Sequence, residues 1–279
     1  MKTVDLHCHT HYSDGTFSPE ELFALAKEKD IAAIAVTDHD TAEAWVESEI
    51  YAREYGVIFI PGVEFSTKIS SYEVDILGLN MTGNKAGLSK FLEEEKLFRD
   101  HRNQKMIQKL NEACIDISFE NVLEKAEGEI VARPHFAKAL VEKGYAPTMD
   151  FAFKKYLSPG RKTYVEKESH TPEQLIAEIK KAGGVSVLAH PVAYMKSYKI
   201  SYERVENIVK GLCALGLDGI EAIYPLNTEK DEARWLRLAR NYNLRISGGS
   251  DFHGANKPHI DLGMLHIPFS VLDDLLQQS

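Results

Sequence analysis

A chain of 279 residues, 44% hydrophobic and 27% charged, has apolar material for one barrel-sized core with an insertion, which excludes the disordered and fibrous classes. Its formal net charge of −9 argues against a general basic surface for long nucleic acid, although cations held in a cleft can dominate the local field of an acidic protein. No apolar run approaches the roughly 20 residues that span a bilayer, the opening MKTVDLHCHT shows no apolar signal segment, and Cys8, Cys114 and Cys213 lack CxxC spacing. The expectation is a cytoplasmic protein without membrane, disulfide framework or thiolate zinc site.

VDLHCHT reads as the first strand. Ser18-Pro19-Glu20-Glu21 then supplies a helix N-cap, a proline at the first helical position and a capping-box glutamate ahead of LFALAKEK. IAAIAVTD is a continuous apolar run of the kind buried parallel strands show. A helix through residues 41–55 precedes the strands VIFIPGVE and, after a turn, YEVDILGL. From residue 84 to residue 159 the texture becomes charge-rich with helical spacing, which predicts a helical insertion. Strand and helix signals resume at Thr163: Thr171-Pro172-Glu173-Gln174 repeats the capping signature, a Gly-Gly pair ends that helix, and GVSVLAH, LDGIEAIY, NLRISGGSD and LGMLHI complete the strands. Seven or eight strands alternating with helices predict an α/β fold, a barrel rather than an open doubly wound sheet. No GxGxxG or GxxxxGK[ST] segment follows any of them.

His7 and His9, two apart on a strand, project from one face. Alone, the pair is equally a polar strand end with solvated imidazoles. Its weight comes from recurrence. Asp14 follows the same strand, His39 ends the second within Thr37-Asp38-His39-Asp40, and Glu64 ends the third. His190 ends GVSVLAH, and Asp251 and His253 close NLRISGGSDFH. In a parallel barrel the C-terminal strand ends meet at one mouth. Nitrogen and hard oxygen donors without sulfur suit Zn, Mn or Fe, and the set predicts a multinuclear metal site.

DLHCHTHYSDG, AVTDHD, PGVEFS, RPHFAKALVEKG, LAHP and GSDFHG, in this order along nearly the whole chain, resemble the PHP (polymerase and histidinol phosphatase) superfamily. The similarity is strongest to the branch of nucleoside 3′,5′-bisphosphate phosphatases and 5′-to-3′ RNA exonucleases. The resemblance implies a distorted (β/α)7-type barrel from residues 1–83 and 160–279, capped by a helical insertion domain at residues 84–159. It implies two or three divalent cations. One would be held by His7, His9, Glu64 and Asp251; Glu64 would bridge to a second, also bound by His135; a third would take Asp14, His39 and His253. Asp75 stands where relatives commonly carry a histidine ligand. Three divalent cations bring about +6, of which four carboxylates remove about 4. The remaining field suits a phosphomonoester dianion and a bridging water acidified to hydroxide.

Among assisting groups, Arg133 is expected to grip two phosphate oxygens, with a surface salt bridge as its bland alternative. Lys162, in competition with Arg161, is a candidate point charge for phosphate. His190 is expected to bind phosphate or donate a proton to the leaving oxygen, with a hydrogen-bond partner to the ligands as its alternative. Asp38 or Asp40 is expected to orient His39, and the acidic run at residues 93–95 to be a solvated helix face. Phe136, Tyr145, Phe151 and Tyr156 either stack a base or form the core of the insertion. The expected activity is hydrolysis of phosphomonoesters on small nucleotides or short RNA, with no obligate protein partner. Histidinol-phosphate phosphatase and a non-catalytic metal-binding module are the alternatives.

Overall fold

The computed structural model describes residues 2–126, 128 and 130–277. All eight expected strand segments contribute to one sheet: β1 (Thr3–Cys8), β2 (Ile31–Val36), β3 (Ile58–Ile69), β4 (Tyr72–Leu79), β5 (Val185–Leu188), β6 (Gly219–Ile223), β7 (Arg245–Gly248) and β8 (Ile267–Pro268). The order is β7-β6-β5-β4-β3-β2-β1-β8. The sheet nearly closes on itself, because the chain after β7 returns to β1. Asp251 N donates to His7 O at 2.8 Å and His9 N to Phe252 O at 2.9 Å. The mouth of the barrel is therefore stitched at the ligand-bearing segments themselves.

Two departures from simple β/α alternation have local causes. β4 is antiparallel to both β3 and β5, since only Ser70 and Ser71 separate it from β3 and a two-residue link permits only a hairpin. Ser70 takes a positive φ of 57° there. LGMLHI is mostly turns, with strand structure only at its last residue, Ile267, and at Pro268. Short β8 pairs antiparallel with β1.

The helices are α1 (Pro19–Glu28), α2 (Trp45–Tyr55), α3 (Lys85–Glu112), α4 (Phe119–Leu123), α5 (Arg133–Glu142), α6 (Met149–Ala152), α7 (Pro172–Lys181), α8 (Pro191–Tyr198), α9 (Tyr202–Ala214), α10 (Glu229–Asn241) and α11 (Ser270–Leu276). α1 and α7 start at the expected capping boxes: Ser18 Oγ accepts from Glu21 N at 3.2 Å, and Thr171 Oγ1 from Gln174 N at 3.3 Å. Helices α3 to α6 lie between β4 and β5 in the chain and share an apolar cluster that includes Met106, Leu110, Phe136, Leu140 and Leu157. Phe136 and Tyr156 are buried in that cluster and Tyr145 packs against it, so these three aromatics are core. Phe151 is exposed.

α3 is fastened to the barrel by buried charges. Lys167 Nζ bridges Asp40 Oδ2 (2.8 Å) and Glu95 Oε2 (2.5 Å), Arg99 also pairs with Asp40, and His170 lies between Glu95 and Glu94 at 2.7 and 3.1 Å. Glu95 is fully buried, which corrects the expectation of a wholly solvated acidic face at residues 93–95. No helix among the described residues is long and apolar enough to cross a membrane.

Candidate metal centre

β1 ends with alternating side chains, so His7 and His9 face one way while Cys8, fully buried between them, faces the helices. Two glycines allow the neighbouring chain to come close. A Cβ on Gly249 would lie 2.3 Å from His7 Cβ, and one on Gly15 would lie 2.4 Å from His9 O. Asp251 and His190 adopt positive φ of 58° and 27°. Such strained backbone in non-glycine residues collects at functional sites.

The donors converge. His7 Nε2 and His9 Nε2 lie 3.1 Å apart and stand 3.2 and 3.1 Å from Glu64 Oε2. Asp251 Oδ1 is 3.6 Å from the first nitrogen and 3.5 Å from the second. A cation about 2.1 Å from each of four tetrahedral donors sets those donors about 3.4 Å apart, so the spacing fits a divalent ion. A second group is His9, Asp14, His39 and His253, with His253 Nε2 3.2 Å and His39 Nε2 3.9 Å from Asp14. A third is Glu64, Asp75 and His190, with His190 Nε2 2.8 Å from Glu64 Oε1 and 3.9 Å from Asp75 Oδ2. Glu64 thus gives one oxygen to the first group and the other to the third.

Outer partners aim these side chains. Glu221 Oε1 takes the Nδ1–H of His7 at 3.0 Å, and the backbone oxygen of Asp251 takes that of His253 at 2.8 Å. Both imidazoles therefore turn an Nε2 lone pair inward. Tyr224 OH and Lys257 Nζ occupy Asp251 Oδ2 at 2.8 and 2.6 Å, leaving Oδ1 for the histidines. Asp38 does not orient His39 as expected. It accepts from Thr10 N, Thr10 Oγ1 and Ser13 Oγ at 2.8, 2.6 and 2.6 Å and so pins the loop that presents Asp14. Asp40 is tied to Arg99 and Lys167.

Burial disfavours charge throughout the cluster, and the carboxylate–imidazole pairs counter it. For His7, burial is outweighed by Glu64, Glu221 and Asp251, which hold its pKa well above the ordinary value. Burial, with His253 beside it, pulls His9 down to about 3. His190 rises to about 9 because Glu64 and Asp75 overcome its burial. Asp14, Glu64 and Asp251 are held below the usual carboxylate range by their histidine and lysine neighbours despite burial. Burial, then Glu64, raises Asp75. This excess of buried acceptors attracts positive charge, which divalent cations supply.

Not every expected residue joins the cluster. His135 is buried, but its Nδ1 accepts from Ala132 N at 3.0 Å, so a neutral ring carries its hydrogen on Nε2 and offers no lone pair. It stands outside the three donor groups. Lys162 is exposed and lies apart from the residues lining the cleft. The lysines that line it are Lys167 and Lys257, with Arg99, Arg102 and Arg133. Arg133 is one-third exposed, 3.7 Å from Glu73. Glu221 contacts both His7 and the backbone of His190. Replacing Asp75 with His is expected to change the metal content or metal preference of the purified protein, read by elemental analysis. An unchanged profile would remove Asp75 from the donor set.

The PHP domain family model matches residues 5–181. The 5′-3′ exoribonuclease Rnm of Escherichia coli is 37% identical over 261 residues, covering 93% of this chain and 87% of the relative. The 3′,5′-nucleoside bisphosphate phosphatase of Chromobacterium violaceum is 31% identical over 264 residues, covering 94% and 91%. Among solved structures, a protein from Bifidobacterium adolescentis assigned as a metal-dependent phosphoesterase superposes with a TM-score of 0.88 at 29% identity, covering 99% and 96% of the two chains. An amidohydrolase from Chromobacterium violaceum, solved with sulfate and no metal, superposes with a TM-score of 0.85 at 30% identity, covering 99% and 98%.

Proposed function

This chain belongs to the PHP domain family and is a metal-dependent phosphoesterase, and on that premise we propose that it hydrolyses phosphomonoesters of nucleoside 3′,5′-bisphosphates or of the 5′ ends of short RNA. The observation that carries this reading is Glu64, whose two oxygens serve two donor groups at the mouth of one cleft. A carboxylate in that position would help to hold two cations, which would supply Lewis acidity for phosphoester hydrolysis.

Two or three Mn, Zn or Fe ions would be held by His7, His9, Glu64 and Asp251, by Asp14 and His39 with His253, and by Asp75 with Glu64. His135 would join only after a change of tautomer. When bound, such ions supply Lewis acidity at phosphoryl oxygens and an acidified water. The chain's own residues do the rest. Glu221 and the Asp251 carbonyl keep two imidazoles in the ligating tautomer. Asp38 holds Asp14 in place through its loop. His190, whose Nε2 lies 2.8 Å from Glu64 Oε1 at the cleft, would either complete the donor group of Asp75 and Glu64 or protonate a leaving oxygen.

Residues 84–159 act as the cap. Arg99, Arg102, Arg133 and Phe153 from this segment face the barrel donors across a cavity of about 340 Å³, within the range of small-ligand sites. Arg133 meets phosphate oxygens with paired N–H groups. Arg133→Ala is expected to lower kcat/KM for phosphate esters by about 10- to 100-fold, mainly through KM. An unchanged value would return Arg133 to its pairing with Glu73.

A screen with Mn, Zn or Fe restored tests the assignment. Adenosine 3′,5′-bisphosphate or a short 5′-phosphorylated RNA is expected to be hydrolysed at least about tenfold more efficiently than histidinol phosphate. The reverse order would favour the histidinol phosphatase branch, and no turnover with any of these metals would favour a binding module.

A further inference from the structure

Two lysines line the cleft, and they differ in how much of their hydrogen-bonding capacity is used. Lys167 is shared between the buried carboxylates of Asp40 and Glu95, at 2.8 and 2.5 Å. Lys257 has one hydrogen-bond partner among the described residues, Asp251 Oδ2 at 2.6 Å, and its side chain is 40% exposed. An ammonium carries three N–H donors, so two of them remain for the cleft. The amine is also well anchored. Lys257 follows a tight helical turn, Gly254–Asn256, that is docked on the segment presenting Asp14. Ala255 N donates to Thr16 Oγ1 at 2.9 Å, and Asn256 Nδ2 to Asp14 O at 2.6 Å. Gly254 takes a positive φ of 60°, and a Cβ there would lie 2.2 Å from Thr16 Oγ1, so only glycine lets the turn sit this close. Lys257 therefore stands where two donor groups meet. Its carboxylate partner turns Oδ1 toward His7 and His9, and its turn is tied to Asp14.

We propose that Lys257 is a catalytic residue, donating to an oxygen of the phosphoryl group as that group passes to water. This rests on the phosphoesterase reading above and adds a residue to it. Water adds to phosphorus while the ester P–O bond breaks; one water proton ends on the leaving oxygen, and Lys257 keeps all of its own. Its part is electrostatic. A point charge fixed beside the phosphoryl oxygens before the substrate arrives stabilises the charge that redistributes over them in the transition state. Asp251 keeps the amine at the mouth, and Tyr224 OH, on the same Oδ2 at 2.8 Å, keeps that carboxylate from turning.

The test uses the metal-loaded full chain, with adenosine 3′,5′-bisphosphate as substrate and orthovanadate, which adopts the five-coordinate shape of the reacting phosphorus, as probe. Vanadate binding is read both by inhibition and by the rise in Tm that it produces. Lys257→Met keeps the length of the side chain and removes its charge. It is expected to lower kcat by about 10²-fold, to change KM by less than about threefold, and to weaken vanadate binding by about the same factor as kcat. Metal content, read by elemental analysis, is expected to stay at the wild-type level, because Tyr224 still holds Asp251 Oδ2. Lys257→Arg is expected to recover part of both losses, since it keeps the charge but not the compact ammonium.

Unchanged kcat and vanadate binding in Lys257→Met, with an active wild type, would overturn the proposal and leave the phosphoesterase reading standing. So would a variant that loses metal and regains full kcat and vanadate binding when Mn is added, because Lys257 would then only steady Asp251. If the wild type cleaves no phosphate ester yet shows a Lys257-dependent Tm rise with vanadate, the anion contact stands and the assigned activity falls.

Discussion

Glu64→Gln is expected to lower kcat/KM by about 10³-fold or more while the barrel stays folded. The substitution keeps the shape of a side chain that is 1% exposed, so packing is conserved. It removes the charge and one acceptor from a carboxylate whose Oε2 lies 3.1 to 3.4 Å from nitrogens of His9, His7 and His39, and whose Oε1 lies 2.8 Å from His190. Two donor groups lose a member at once, so metal content should fall together with activity. Circular dichroism and elemental analysis of the purified variant check both parts. Full activity with normal metal content would defeat the bridging role.

The second large effect is expected on chelation. Removing bound cations should abolish turnover and lower Tm, because the folded state alone assembles the donor set. The metal-free protein should also acquire a pH dependence with a defined sign. His9 at about 3 and His135 at about 4 lie below the ordinary histidine value of about 6.5. Between those values and 6.5 the unfolded chain binds protons that the native state does not, so stability falls as pH drops through that window. Asp14, Glu64 and Asp251, all depressed, add to the loss further into acid.

His190, raised to about 9, and His7, raised well above its ordinary value, act in the opposite sense. Their contribution is complete below about 6.5 and is lost as pH rises toward about 9. Metal-free stability should therefore peak near pH 6.5. Cations require deprotonated imidazoles, so the Tm gain from metal should widen from pH 6 to pH 8. A gain that narrowed with pH would contradict the assignment of histidine ligands.

Much of this architecture is written in local chemistry. Ser18 and Thr171, each followed by Pro and Glu, announce two helix starts, and the apolar run at Ile31–Val36 announces a buried parallel strand. The donor cluster was legible for a related reason. Its members sit at strand ends, and barrel topology brings strand ends together whatever their separation in sequence. The direction of β4 was harder to read, because a two-serine link carries no glycine or asparagine to mark a hairpin.

Residues whose roles depend on contacts across the chain were the hardest to place. Glu95 reads as one more acid in a charged run, yet the return segment carrying Lys167 and His170 buries it. Lys162 and Lys167 are indistinguishable by composition, and the course of that segment leaves only Lys167 facing the cleft. Lys257 is separated from Asp251 by a loop of no marked pattern, although its amine reaches the carboxylate at 2.6 Å. His135 matches a ligand motif, but its tautomer follows from the Ala132 N–H at the start of α5. No spacing rule encodes that contact.

Donors from β1, β3 and the segment after β7 are placed to enclose shared cations. Anomalous diffraction from crystals grown with Mn tests it most directly. A strong peak is expected within about 2.3 Å of His7 Nε2, His9 Nε2, Glu64 Oε2 and Asp251 Oδ1, with a second peak that shares Glu64 through its other oxygen. Peaks confined to other parts of the molecule, with Glu64 still hydrogen-bonded to His190, would contradict it.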